Sequence, residues 1–251
     1  MRHLIIVLIL LFSLPVLAQD DDTLTVIEEG VQLVIHVDET DMVQEVIQVI
    51  LQRAEELELD DVRVQIIGED TIQMQFPGVD RLSTDVLNTL IRRGLLELVD
   101  FRGIEQDLTG ERINTSAQVA RGIVDLDAAY QPFTGQPFLT IFTSESFESV
   151  HVVQDTALSF WNILFTIREE DQERFSTFTQ QHIGQKLAIV LDGEVITVLV
   201  VQAMLEDDGI ISGNFDFEEA KNLAIQLRTG ELPSNITVIS TDTYQTLGFG
   251  N

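Results

Sequence analysis

The feature of this chain that most restricts its fold is a switch of hydrophobic period along its N-terminal part. Apolar residues alternate with polar ones in some segments, as in half-buried strands, and recur every three or four residues in others, as in amphipathic helices. In chain order the pattern predicts a strand at 31–37, a helix at 42–57, strands at 62–66 and 72–76, a helix at 83–91 and a strand at 95–102. This βαββαβ order predicts a ferredoxin-like unit of the α+β class.

The pattern weakens from 106 to about 153, where glycine and proline interrupt short segments. Beyond this stretch the chain predicts, in order, a strand at 160–167, a helix at 169–184, a hairpin at 186–200 that turns at Asp192-Gly193, a helix from Asp216 to Arg228 that Gly230 ends, and a strand at 236–240. Asp-Gly is a dipeptide that type I′ hairpin turns favour, and Asp216 with Glu219 has the spacing of a capping box. The second half is therefore also mixed in helix and strand.

These patterns divide the chain into two predicted parts. Residues 24–105 and 213–246 form a base, and residues 106–212 form an α+β head subdomain inserted into it. The base takes its helix and final strand from the segment after the insertion. We expect the junctions near residues 106 and 213.

Charge and composition exclude several classes of function. The formal net charge is −28 and there is no cysteine. Nucleic-acid backbones and anionic lipids are bound through Lys and Arg, so this acidity argues against both as partners. The lack of cysteine excludes disulfides, thiolate metal sites and thiol nucleophiles.

The first residues have the three parts of a secretory signal peptide. Met1-Arg2-His3 precedes an apolar run from Leu4 to Leu17, and Ala18 stands before the acidic stretch that begins at Gln19. The run is shorter than the ~20 residues of a spanning helix. We expect residues 1–18 to be a cleaved signal peptide and the mature protein to be extracytoplasmic. The alternative is an uncleaved N-terminal anchor.

No catalytic, metal or cofactor site is expected. The histidines His3, His36, His151 and His182 have no ligand spacing, and the acidic runs lack the alternating ligands of a calcium loop. The chain also lacks a glycine-rich phosphate loop, and it offers no nucleophile and base in a recognisable arrangement. A secreted hydrolase is accordingly the weakest of the functional hypotheses.

Several segments of the chain resemble a known family. Residues 187–196, followed by Ser212-Gly213-Asn214-Phe215 and by the run Leu227-Arg228-Thr229-Gly230-Glu231-Leu232-Pro233, are similar to the SecD family of protein-export membrane proteins, in which the last run reads LRxGxLP. The upstream segments 71–79 and 91–102 are similar to the first periplasmic segment of SecD. The residues that carry the resemblance as structural motif positions are Pro77, Gly78, Asp192, Gly193, Ser212, Gly213, Phe215, Glu219, Arg228, Gly230 and Pro233.

The resemblance implies a large periplasmic domain with a base and a mobile head that grips a translocating polypeptide. We expect this chain to represent that part without the transmembrane motor. It would be a non-enzymatic module that binds translocating or unfolded polypeptide as an accessory to Sec-dependent export. The alternative is a structural subunit that docks on a membrane-embedded SecD- or SecF-like partner of the Sec translocon.

Two phenylalanines are candidate polypeptide contacts. Phe133 and Phe138 are flanked by Pro132, Gly135 and Pro137, which resist regular structure. Binding residues are often found on such irregular segments. We therefore expect both side chains to be exposed contacts for polypeptide.

Overall fold

The structure is a computed structural model, and it describes residues 24–129, 134–155 and 159–249. The elements are β1 (Leu24–Val37), α1 (Val43–Glu56), β2 (Arg63–Ile67), β3 (Thr71–Pro77), α2 (Thr84–Ile91), β4 (Leu96–Asp100), α3 (Ser116–Ala120), β5 (Thr140–Thr143), β6 (Phe147–Gln154), β7 (Trp161–Ile167), α4 (Glu169–Gln181), β8 (Lys186–Leu191), β9 (Glu194–Val200), β10 (Asp208–Phe215), α5 (Phe217–Thr229) and β11 (Ile236–Phe249). The chain divides into two compact units. Unit 1 combines the chain up to Ile91 with the chain from Pro233, and unit 2 comprises Arg92–Leu232.

Unit 1 is a four-stranded antiparallel sheet in the order β11-β1-β3-β2 with two helices. Leu33 and Ile35 of β1, and Ile72 and Phe76 of β3, are fully buried, which is the alternation that predicted these strands. Ser83 Oγ accepts from the Val86 N–H at 3.2 Å at the predicted start of α2. The α+β class is confirmed.

The final strand of the βαββαβ order in unit 1 differs from the prediction. It is β11, which pairs with β1 from Leu24↔Phe249 to Val37↔Ile236. The segment predicted for this place, 95–102, contains β4, which lies in unit 2 between β5 and β8. All five residues of β4 are buried, because its two faces pack on two different clusters. Local hydrophobicity predicts a strand but does not specify its partner.

Arg53 of α1 is fully buried in unit 1. Its Nη1 donates to the carbonyl oxygens of Thr89 at 3.3 Å and Leu90 at 3.2 Å. These carbonyls belong to the last turn of α2, whose acceptors have no partner within the helix. The Arg53 guanidinium on α1 therefore caps the C-terminal end of α2.

Unit 2 contains two antiparallel sheets, ordered β5-β4-β8-β9 and β10-β7-β6. One apolar cluster joins side chains of both sheets to the buried faces of α4 and α5; it includes Leu98, Phe142, Phe165, Phe175, Ile189, Ile211, Phe215 and Leu223. A second cluster lies on the other face of the first sheet and includes Val99, Phe101, Phe138, Ala188 and Val190. The first sheet is thus covered on both faces.

The limits of unit 2 differ from those predicted for the inserted subdomain, 106–212. Helix α5 begins with the predicted capping box, in which Glu219 N–H donates to Asp216 Oδ1 at 2.8 Å and Asp216 N–H donates to Glu219 Oε2 at 2.9 Å. Its apolar face packs in the cluster between the two sheets of unit 2, which assigns the helix to this unit. Helix periodicity showed that α5 has a buried face without showing which sheet buries it.

The Asp192-Gly193 turn joins β8 and β9, with φ of +50° and +84° at its two residues. Asp192 also accepts hydrogen bonds from the N–H groups of Gly94 at 3.1 Å and Leu95 at 2.8 Å. A Cβ on Gly193 would lie 2.6 Å from Gln118 Nε2. The turn is therefore packed against other segments of unit 2, and both positive φ and close approach require glycine at 193.

Candidate functional site

An apolar cleft of about 700 Å³ lies between strands β9 and β10 of unit 2. Residues 198–200 of β9 and the residues that follow it, 201–203, form one wall, and residues 208–212 of β10 form the other. Phe165, Phe175 and Ile189 line its depth and belong to the cluster between the two sheets. We call this feature the β9–β10 cleft.

Both walls of the β9–β10 cleft are strands at the edges of their sheets. Thr197 Oγ1 donates to the Ser212 carbonyl at 3.2 Å and holds the two strands together at one end. An edge strand presents a row of backbone N–H and C=O groups outside its own ladder. The cleft therefore combines an apolar interior with main-chain groups at its margins.

Gly209 and Thr179 maintain the shape of the β9–β10 cleft. A Cβ on Gly209 would lie 2.5 Å from Cζ of Phe165, so only glycine leaves room for the aromatic ring beneath β10. The Leu205 N–H donates to Oγ1 of the buried Thr179 at 3.0 Å. This bond ties the connection between β9 and β10 to α4.

The mouth of the β9–β10 cleft is apolar and acidic. Val200 and Ile210 line the cleft and are large apolar side chains with exposed surface. Asp155 and Asp208 line the same cleft. Such a surface complements segments that combine apolar and basic residues.

The predicted contact pair, Phe133 and Phe138, does not form an exposed site. Phe133 lies outside the described residues. Phe138 is fully buried, and its ring centroid is 5.1 Å from that of Phe101. Its N–H donates to the Asn114 carbonyl at 2.8 Å and its carbonyl accepts from the Ser116 N–H at 2.8 Å. The expectation that Phe138 is exposed is wrong, because its side chain packs in the second apolar cluster on the first sheet.

The family-motif residues occupy turns, caps and packing positions in both units. Gly78, with φ +71°, follows Pro77 at the end of β3, and Pro233 follows Leu232 at the boundary between the two units. Ser212, Gly213 and Phe215 lie in β10, where a Cβ on Gly213 would meet the Phe215 ring at 2.3 Å. Of these motif positions, only Ser212 lines the β9–β10 cleft.

The residues that shape the cleft were not identified from the sequence. The acidic run 206–208 has the pattern of a solvated turn, and the apolar run 195–201 is shorter than a membrane span, so neither run by itself indicates a binding site. Met204 and Leu205 lie between these two runs and carried a weak signal, since apolar residues are unusual in a solvated turn. The cleft itself depends on the separation of two sheets, which sequence periodicity does not encode.

Glu97 of β4 is a fully buried carboxyl group in unit 2. The hydroxyls of Thr115 and Thr140 each donate to its Oε1 at 2.6 Å, whereas Oε2 has no hydrogen-bond partner among the described residues. Burial raises the pKa of this carboxyl above its ordinary value, and the two hydroxyls and Arg121 oppose the shift without cancelling it. The charged form is thus disfavoured in the folded protein.

Glu97→Gln is expected to stabilise unit 2 increasingly as pH rises. A carboxyl with a raised folded-state pKa favours folding below its unfolded-state pKa of roughly 4.3, and that contribution is lost as pH rises through the folded-state pKa. Glutamine does not titrate and escapes this loss. Urea unfolding of both proteins, from pH ~4 to pH ~7, measures the difference. A difference that stays constant or reverses over this range would contradict the assignment.

Among residues 24–129, 134–155 and 159–249 there is no group of three or more His, Asp or Glu side chains that could hold a metal ion. In the same part of the chain, no helix has both the length and the apolar content that crossing a membrane requires.

Comparison with known proteins relates the chain to bacterial protein translocases. Residues 129–234 match the family described as SecDF, P1 head subdomain. Protein translocase subunit SecD of Aquifex aeolicus is 31% identical over 202 residues, covering 77% of this chain and 38% of the relative. SecD of Dictyoglomus turgidum is 29% identical over 222 residues, covering 88% of this chain and 45% of the relative. The chain thus spans less than half the length of these curated relatives.

Solved SecDF structures share the fold. A crystal structure of SecDF in a super-membrane-facing form matches 88% of this chain and 31% of its own, with a TM-score of 0.65 and 24% identity. A second SecDF structure matches 83% of this chain and 98% of its own, with a TM-score of 0.60 and 23% identity. The chain therefore shares the α+β fold of these structures, and residues 129–234 are similar to the SecDF P1 head subdomain. The predicted relationship to the periplasmic domain of the SecD family is confirmed.

Proposed function

We propose that this chain is a non-enzymatic, extracytoplasmic module that binds translocating or unfolded polypeptide as an accessory to Sec-dependent protein export. The observation that carries the proposal is the β9–β10 cleft, whose two walls lie within the segment that is similar to the SecDF P1 head. A structural relative is described as a membrane component that enhances protein export. Binding and release of a chain require no catalytic group.

The chemistry of the β9–β10 cleft suits an unfolded chain better than a compact ligand. Its apolar interior can take one or two aliphatic or aromatic side chains, each contributing about 1.5–3 kcal/mol when fully buried. Ordering of the bound segment and loss of its translational freedom offset much of this gain. We therefore expect weak and reversible binding, which suits a protein that must release its substrate.

The acidity of the chain adds a preference among polypeptides. Asp155 and Asp208 line the cleft, and the whole chain has a formal charge of −28. Basic, apolar-rich segments should bind more tightly than acidic ones. Salt should reduce this preference, because exposed charges are screened beyond about 10 Å at ~0.1 M ionic strength.

The names of the relatives indicate which partners to propose. Proteins named as translocase subunits SecD and SecDF match most of this chain, so we propose association with the Sec translocon or with a SecD- or SecF-like membrane subunit. We also propose that the cleaved signal peptide at residues 1–18, which lies outside the described residues, directs the chain to this location.

Replacing Val200 and Ile210 together by serine is expected to weaken the binding of a basic, apolar-rich unfolded peptide by about tenfold, since two apolar contacts are lost. Both side chains are substantially exposed, so the substitution should not unfold unit 2. Fluorescence anisotropy with labelled peptides at low and high salt measures the effect. Ile239→Ser is the matched control, because Ile239 of β11 is 58% exposed and Ile210 is 54% exposed.

If the Val200/Ile210 double serine variant and the Ile239→Ser control bound the peptide with equal affinity, the location of the site in the cleft would be contradicted. Absence of binding to every peptide at high micromolar wild-type protein would overturn the polypeptide-binding proposal itself. The hypothesis of a structural subunit that docks on a membrane partner would then be preferred.

A further inference from the structure

A second surface of unit 2 has the features of a polypeptide acceptor, at the opposite edge of the sheet that contains β10. Strand β6 is the outer strand of the order β10-β7-β6 and pairs with β7 from Phe147↔Ile167 to Gln154↔Trp161. Among the described residues no further strand pairs with it. Its outer row of backbone groups therefore lies outside the ladder of the sheet, in position to pair with an added strand.

The contact of Arg228 with β6 shows which backbone groups face outward. Arg228 Nη1 donates to the Val150 carbonyl oxygen at 3.1 Å, so this carbonyl points away from β7. In an antiparallel ladder, residues two apart have the same orientation. Val152 and Gln154 consequently direct their N–H and C=O groups to the same outer edge.

A groove of about 580 Å³ runs along this edge. Residues 147–151 of β6 form one side, and the end of α5 with Gly230 and Glu231 forms the other. Val150 is buried and Val152 packs against the apolar cluster of unit 2, whereas His151 is exposed. An added strand would thus meet an apolar environment on one face and solvent on the other.

We propose that the outer edge of β6 binds an extended polypeptide segment with alternating apolar and polar residues, as an added strand of the sheet. Arg228 competes with the incoming strand, because its guanidinium already donates to the Val150 carbonyl oxygen. A backbone N–H of the bound segment would have to replace this hydrogen bond. The mode of recognition is main-chain hydrogen bonding. The site is distinct from the β9–β10 cleft and does not rest on it.

An extended segment of another polypeptide fits this edge better than a second copy of the chain. Two copies, each with a formal charge of −28, would repel each other at low and moderate salt. The groove itself contains both Arg168 and Arg228 beside its glutamates. A neutral or mixed-charge segment is therefore repelled less than the β6 edge of a second copy of this chain would be.

The test uses the full chain and a labelled peptide of alternating valine and threonine, together with an analogue N-methylated at every second residue. Val152→Pro should weaken peptide binding by about tenfold or more, since proline removes an edge donor and blocks the edge. It should leave the β6–β7 ladder intact, because the Val152 N–H faces outward. Arg228→Ala should strengthen binding by about fivefold, because the incoming strand no longer has to displace a hydrogen bond.

The proposal would be overturned if the N-methylated peptide bound the wild-type chain as tightly as the unmethylated peptide does. It would also be overturned if Val152→Pro and the wild type had equal affinity for the unmethylated peptide. If Val152→Pro does not fold, the comparison of the two peptides on the wild-type chain decides. A wild-type dimer in sedimentation without peptide, lost in Arg228→Glu, would assign the edge to a second copy and would also overturn it. Loss of peptide binding only in the Val200/Ile210 serine variant would assign the peptide to the cleft, overturning this inference while leaving the proposed function in place.

Discussion

Phe138→Ala is expected to destabilise unit 2 by about 3–5 kcal/mol, the cost typical of removing a buried phenylalanine ring. The side chain is fully buried and packs with Phe101, Ile113 and Val190 on one face of the first sheet. The surrounding backbone is held by its own hydrogen bonds and cannot close the cavity. Urea unfolding followed by a probe in unit 2 measures the loss.

Leu126→Ala is the matched control for Phe138→Ala, because Leu126 is 90% exposed and lies in the same irregular segment. It should change the free energy of unfolding by less than about 0.5 kcal/mol. A loss of similar size in the two variants would contradict the burial of Phe138. Double replacement of Phe133 and Phe138 therefore cannot test polypeptide binding, since reduced binding would report unfolding.

Arg53→Ala is expected to destabilise unit 1 by about 3 kcal/mol. The substitution leaves the carbonyls of Thr89 and Leu90 without their buried donor and opens a cavity between the two helices. Arg63→Ala is the control, because Arg63 forms an exposed ion pair with Glu28 at 2.6 Å, and exposed ion pairs contribute little to stability. Thermal or urea unfolding of both variants measures the difference.

Two results would oppose this role of Arg53. A loss below about 1 kcal/mol would mean that water satisfies the α2 carbonyls in its absence. Full stability of Arg53→Met would mean that the aliphatic stem, and not the guanidinium, holds the helices together.

The sequence predicted most elements because their hydrophobic period is strong. Strand β3 alternates between buried and half-buried residues, and α1 buries one stripe, as the pattern required. The capping box of α5 and the Asp192-Gly193 turn were predictable because local backbone chemistry determines both. Strand pairing was less predictable, because β4 was expected in the base sheet but pairs with β5 and β8 in unit 2, through contacts that are distant in sequence.

The buried charged groups illustrate the same limit. Arg53 lies on the buried stripe of α1, where a charged residue is unusual, and the backbone carbonyls at the end of α2 accept its hydrogen bonds. Glu97 alternates with Leu96 and Leu98, which predicts a polar outer face, but a further layer of unit 2 covers that face. In both cases the contacts that bury the charged group come from another element, which local pattern does not predict.

Phe138 was misassigned for a related reason. Gly135 and Pro137 do mark irregular backbone, but irregular backbone is not the same as exposed backbone. The β9–β10 cleft was missed because it is a gap between two sheets, defined by Gly209 and by the bond from Leu205 to Thr179. Each of these residues is unremarkable in the sequence taken alone.

Site-specific photocrosslinking is the most direct test of the central claim that unfolded polypeptide lies in the β9–β10 cleft. A photoreactive phenylalanine analogue placed at 210 or at 239 of the full chain would be irradiated with a labelled, basic, apolar-rich unfolded peptide. We predict crosslinks from position 210, competed by unlabelled peptide and reduced by salt, and few from position 239. Equal crosslinking from the two positions, or none from position 210 while the peptide still binds, would contradict the account.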